Sequence, residues 1–107
     1  MRVLLDENMP QAFRFHIQRH EVLTAGYLGL AGMENGHLLH AMIDQKIEAL
    51  VTLDSNLTYQ QNVAKAGIGI VVLRPPSSKF HDILVLSAEV QRALDFLLPG
   101  KVTIVPG

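Results

Sequence analysis

The chain contains no cysteine and no tryptophan. Without cysteine there is no disulfide framework, no thiolate nucleophile and no cysteine-ligated zinc. Stability must then come from an apolar core, and any metal from oxygen or imidazole ligands. Charge is also scarce: Asp, Glu, Lys and Arg make up 18% of residues and the formal net charge is −1. That argues against a strongly basic surface that grips nucleic acid by bulk electrostatics, but leaves room for a local phosphate-contacting patch. No apolar run approaches the length that spans a bilayer, so no membrane partner is expected. The first residues form an apolar, strand-like run with no charged region ahead of a signal core, and a cytoplasmic location is the expectation.

What is present suits one packed unit. With 107 residues, 49% of them hydrophobic, residues 1–107 read as a single domain with one core. Arg2–Leu5 is a short apolar run that stops at Asp6-Glu7-Asn8, which reads as a buried strand. Asn8 is expected to cap a helix carrying Ala12, Phe13, Phe15 and Ile17, with Pro10 tolerated in its first turn. His20–Thr24 follows as a second strand, then a loop punctuated by Gly26, Gly29, Gly32 and Gly36. Leu38, Leu39, Met42 and Ile43 recur at helical spacing and predict a helix over 36–46. Ala49–Leu53 is the third strand, ending in Asp54, and Thr58–Ala66 is a helix closed by Gly67. Ile68–Leu73 is a strongly hydrophobic fourth strand. After Pro75-Pro76-Ser77-Ser78, one long helix from Phe80 or Asp82 to Leu98 and a last strand over Lys101–Val105 complete the pattern.

Strands that alternate with helices and read as continuous apolar runs imply a mostly parallel sheet covered on both faces, a three-layer α/β/α arrangement. In such sheets functional groups gather beyond the carboxyl ends of the strands, at the switch in strand order. With order 2-1-3-4-5, Asp6 and Asp54 would stand side by side there. One strand-end aspartate is as well explained as a cap or a turn former; the pair is what carries the signal. Two ionised carboxylates in contact repel unless one is protonated or a cation lies between them. Hard oxygen ligands suit Mg²⁺ or Mn²⁺, which can activate a bound water and neutralise charge on a phosphate. Asn56 is placed to orient that water or a phosphate, and Asn8 and Glu7 to support the carboxylates.

Three segments together carry a family resemblance: Leu4-Leu5-Asp6-Glu7-Asn8-Met9-Pro10, Asn35-Gly36-His37-Leu38-Leu39, and Leu50-Val51-Thr52-Leu53-Asp54-Ser55-Asn56-Leu57 followed by Tyr59-Gln60-Gln61-Asn62. Over residues 1–73 the chain resembles a PIN-like family of small prokaryotic proteins related to the ribonuclease toxins of toxin–antitoxin pairs. The resemblance implies a PIN-like fold and a Mg²⁺- or Mn²⁺-dependent site cleaving RNA, with an antitoxin protein as a partner. By motif match Asp6 and Asp54 take the places of the first and third acids, and Asn56 stands where many relatives carry another acid. The middle motif departs from the family, which usually reads Asn-Gly-Glu-Leu-Leu, because His37 replaces the glutamate. Glu34, one helical turn earlier, is the candidate substitute ligand, and His37 the candidate general base or ligand for a softer metal.

Other residues invite functional readings. His16 and His20, and His37 and His40, have spacings compatible with metal sites on helices, although neither pair forms a recognised motif. Arg14, Arg19, Lys46, Lys65 and Arg74 are candidate phosphate contacts. Asn8, Tyr59 and Gln60 are candidate substrate-binding residues, Tyr59 by stacking on a base. Surplus apolar residues at Phe13, Phe15, Phe80, Phe96, Leu97 and Leu98 suggest cover by a second copy or an antitoxin. Two other functions share some of these features. A receiver-like phospho-acceptor also has acids ending strands 1 and 3, but Leu73-Arg74 and Lys101 do not supply its remaining groups. A catalytically degenerate module that binds RNA or a partner protein fits the loss of the middle glutamate.

Overall fold

The computed structural model describes all residues, 1–107. The strands are β1 (Arg2–Leu5), β2 (Glu21–Thr24), β3 (Ala49–Thr52), β4 (Gly69–Arg74) and β5 (Val102–Pro106). The helices are α1 (Asn35–Asp44), α2 (Leu57–Lys65), α3 (Phe80–Leu84) and α4 (Ser87–Asp95), with a 3₁₀ helix over Gln11–His16. The five strands form one sheet in the order β2-β1-β3-β4-β5, and every pairing is parallel. Leu5 lies beside Thr24 on one side and Val51 on the other, so the carboxyl ends of the first three strands are level.

Alternation along the strands divides the core into two layers. Val3, Leu5, Ala49, Val51, Val71 and Leu73 face Phe13, Ile17, Ile83, Leu86, Val90 and Leu94. Leu4, Leu50, Ile70 and Val72 face the other way, onto Leu38 and Met42 of α1 and Tyr59 and Val63 of α2. The sheet is buried on both faces, which is why its strands read as unbroken apolar runs. The result is the three-layer α/β/α arrangement.

Three local expectations are corrected. The segment after Asn8 is a short 3₁₀ helix with Pro10 at its cap, in which Phe13 is buried and Phe15 is 70% exposed. Eclipsed i, i+3 side chains let so tight a helix bury only a narrow stripe. The long C-terminal helix divides at Val85-Leu86 into α3 and α4, which lets Ile83 and Leu86 turn onto the sheet ahead of Val90 and Leu94. Strand β3 stops at Thr52 rather than Leu53, because the Leu53 N–H donates to the Asn8 side chain instead of continuing the ladder. The expected cap of α2 is present: Gly67 has φ +85°, and Ile68 N–H donates back to the Val63 carbonyl.

Candidate functional site: the carboxylate edge

The carboxyl ends of β1 and β3 bring Asp6 and Asp54 to the switch point of the sheet. The Asp6 N–H donates to the Val51 carbonyl at 3.0 Å, extending the β1–β3 ladder by one residue and fixing the Asp6 backbone at the edge. Its side chain is only 6% exposed. The carboxylate accepts from the Glu7 N–H at 2.9 Å and from the Thr52 hydroxyl at 2.8 Å. Burial pushes the Asp6 carboxyl above its ordinary range; the Thr52 and Glu7 hydrogen bonds oppose the rise, and the charges of Asp54 and Glu7 add to it.

Thr52 is the junction of the site. Fully buried at the end of β3, its hydroxyl donates to Asp6 and accepts from the Asp54 N–H at 2.9 Å and from the Asn8 amide at 3.3 Å. The other end of the Asn8 amide accepts from the Leu53 N–H at 3.1 Å. Asn8 therefore clasps the β1 loop to the β3 loop, both ends of its side chain are occupied within the protein, and it does not cap the following helix.

Asp54 is half-buried. Its carboxylate accepts from the Asn56 N–H at 2.8 Å, and its main-chain carbonyl accepts from the Gln60 amide at 2.9 Å. Asn56 caps α2, accepting from the Tyr59 N–H at 3.0 Å. Gln60 is buried, so the structure gives it the task of holding the Asp54 loop rather than an open face for substrate. Tyr59 is buried too, 4% exposed, and its ring lies in the α1–α2 core layer, where no base can stack on it. Its hydroxyl has no hydrogen-bond partner. Burial and the negative charges of Asp6 and Asp54 drive its pKa far up, so this neutral O–H is an unused donor in the field of both carboxylates.

Glu34 and His37 lie apart from this constellation in chemical terms. Both are exposed at the start of α1, and no three His, Asp or Glu side chains converge closely enough to hold a metal. The α1 and α2 amino termini do meet across a cleft of about 160 Å³ lined by Asn35, Gly36, Asn56, Thr58 and Tyr59. Neither histidine pair belongs to a group of three His, Asp or Glu side chains that could hold a metal. His16, His37 and His40 are exposed, and His20 instead bonds Asp95, which Arg19 and Gln91 also contact. That polar cluster joins the turn ahead of β2 to α4, a long-range pairing that no local pattern in the sequence displays. A larger apolar cleft of about 350 Å³, between Ile43, Ile47, Ile68 and Leu98, lies at the opposite, amino end of the strands and has Glu48 as its one ionisable side chain.

No family model, no curated protein and no solved structure matches the chain.

Proposed function

We propose that the carboxylate edge is a divalent-metal site for hydrolysis of RNA phosphodiesters, as in a toxin-type ribonuclease with a PIN-like fold. The observation that carries the reading is the pairing at the switch point of a desolvated Asp6 with Asp54, joined through the Thr52 hydroxyl. A carboxylate pair in a water-poor setting favours a cation. The donor set is all oxygen, which suits Mg²⁺ or Mn²⁺. Mg²⁺ in particular keeps several waters and binds proteins through one or two carboxylates, so a third side-chain ligand is not required.

Asp6 and Asp54 would hold the ion, which when bound supplies charge neutralisation and a water of lowered pKa. Thr52 fixes the Asp6 carboxylate, and Asn8 and Gln60 fix the two loops. The free N–H groups at the start of α1, where no side chain caps the helix, favour an anion in the cleft shared with α2. An antitoxin or second copy would have exposed Phe15, Phe96 and Leu98 available for contact.

The test is cleavage of an RNA with Mg²⁺ or Mn²⁺, run beside Asp6→Asn. Cleavage by the wild type alone is the expected result, and equal cleavage by both proteins rejects the role of Asp6. The exposed positions of Glu34 and His37 favour a second reading, a catalytically degenerate module binding RNA or a protein. Titration calorimetry with Mn²⁺ separates the two: heat that disappears in Asp6→Asn supports the nuclease, and no heat at any concentration supports the module.

A further inference from the structure

Strand β2 is an edge of the sheet, so one row of its main-chain N–H and C=O groups has no strand partner. A groove of about 650 Å³ runs along Val22, Leu23 and Thr24, between Gln11 and Arg14 of the 3₁₀ helix and Tyr27 of the following loop. Clefts of ~300–1,000 Å³ take small ligands. The groove's polar groups are placed rather than incidental. Tyr27 is 79% exposed, yet its backbone is held by a hydrogen bond from its N–H to the Thr24 hydroxyl at 3.1 Å, so a flat aromatic face is presented to solvent from a fixed turn. The Arg14 guanidinium belongs to none of the chain's ion pairs, and its carbon lies 4.5 Å from the centre of the exposed Phe15 ring. The Gln11 amide reaches over Gly26, so close that a Cβ there would stand 2.9 Å from it.

The groove adjoins the carboxylate edge. Ala25 N–H donates to the Leu5 carbonyl at 3.2 Å, one residue before Asp6, and Glu7 accepts from Gly32 N–H at 2.8 Å. One strand spacing, about 4.8 Å, therefore separates the Asp6 strand from the groove floor. The loop bearing Tyr27 is tied at both ends to residues that flank Asp6.

We propose that this groove is a nucleotide subsite for single-stranded RNA, with the base stacked on Tyr27 and a phosphate on Arg14. The proposal rests on the reading of the carboxylate edge as a nuclease site and specifies its substrate as unpaired RNA. Stacking is sequence-tolerant because every base has a π-face, while Gln11 and the free β2 edge supply hydrogen bonds to base edges. An unpaired guanidinium and a free aromatic face favour a nucleotide over a peptide strand added to β2, since added strands are held chiefly by main-chain bonds.

The experiment is fluorescence anisotropy of a labelled hexaribonucleotide with the full chain in EDTA, so that binding is read without cleavage. Tyr27→Ala is expected to weaken binding by roughly 5- to 150-fold and Tyr27→Phe by less than about twofold, as base–aromatic stacking requires. Arg14→Gln should lower the slope of log affinity against log salt by about one phosphate contact, a change that a purely structural role would not make. Wild-type protein that takes up no RNA, or Tyr27→Ala that binds as wild type does, overturns the proposal. Mn²⁺ calorimetry on the same proteins reads the carboxylate pair separately. Failure of Mn²⁺ uptake with intact, Tyr27-dependent RNA binding would sink the nuclease reading and leave the groove standing.

Discussion

Replacing Thr52 with valine keeps the volume and branching of a fully buried side chain while deleting the one hydroxyl that joins Asp6, Asp54 and Asn8. The Asp6 carboxylate loses a donor, and the Asp54 N–H and Asn8 amide each lose an acceptor. A buried polar group left without its partner costs about 1–3 kcal/mol, and Asp6 is the only one of the three left in a fully buried setting. The expected loss at neutral pH is thus about 2–3 kcal/mol, a large share of the ~5–15 kcal/mol that holds a domain together. The loss should also depend on pH. Asp6 already has its folded-state pKa raised above 3.8 by burial. A group raised in this way contributes stability that is fully present below the unfolded value and lost as pH rises through the folded value. Removing the Thr52 hydrogen bond, which opposes that rise, pushes the folded value higher and widens the gap. The variant should therefore be penalised more at pH 7 than at pH 3, which lies below the ordinary carboxylate value, so that a raised pKa leaves Asp6 protonated in both proteins. Urea unfolding followed by circular dichroism at the two pH values measures the difference. Thr52→Ser, which keeps the hydroxyl, should behave nearly as wild type apart from the lost methyl. An equal loss at both pH values would refute the assignment of Thr52 as the donor that favours the charged form of Asp6.

Asp6→Asn removes the charge that would hold the ion but sets an amide NH₂ against either the Glu7 N–H or the Thr52 hydroxyl, so Mn²⁺, expected to raise the melting temperature of the wild type, should leave that of the variant unchanged; thermal unfolding with and without Mn²⁺ reads the difference. Asn56→Ala deletes the α2 cap that accepts from the Tyr59 N–H and should cost about 1 kcal/mol in equilibrium unfolding, with Asn56→Ser recovering most of it. Asp95 is held at a pKa of about 2 by His20 first and then by Arg19 and Gln91. Its stabilisation is present above the unfolded carboxylate value and fades as pH falls toward 2, so Asp95→Asn should flatten the stability profile between pH 4 and pH 2 in an acid titration followed by circular dichroism.

The sheet order and the positions of Asp6 and Asp54 were legible because both follow from backbone rules. Apolar runs set the strands, β–α alternation makes them parallel, and a strand-end acid in such a sheet falls at its carboxyl edge. The side chains around those acids were harder to read because they follow non-local competition. Asn8 looked like a cap because a cap needs only its own neighbours; its amide instead serves β3 residues more than forty positions away, where Thr52 and Leu53 offer it both an acceptor and a donor. Thr52 lay in plain view in Val51-Thr52-Leu53-Asp54, yet a threonine in an apolar run reads as a strand former, and only the folded register shows its hydroxyl meeting Asp6. Tyr59 and Gln60 followed the acid and so looked like substrate contacts. The first turn of α2 sits over the sheet, however, and its inward positions are core positions, which buries the ring and turns the amide back onto the Asp54 carbonyl. The asymmetry that results has a chemical consequence no motif could display. Asp6 is desolvated and clamped by two donors, whereas Asp54 is half-open and its loop is held through its backbone. An ion shared by the two would therefore take its fixed geometry from Asp6 and its access to solvent and phosphate from the Asp54 side, the side on which Asn56 and the cleft between α1 and α2 also lie.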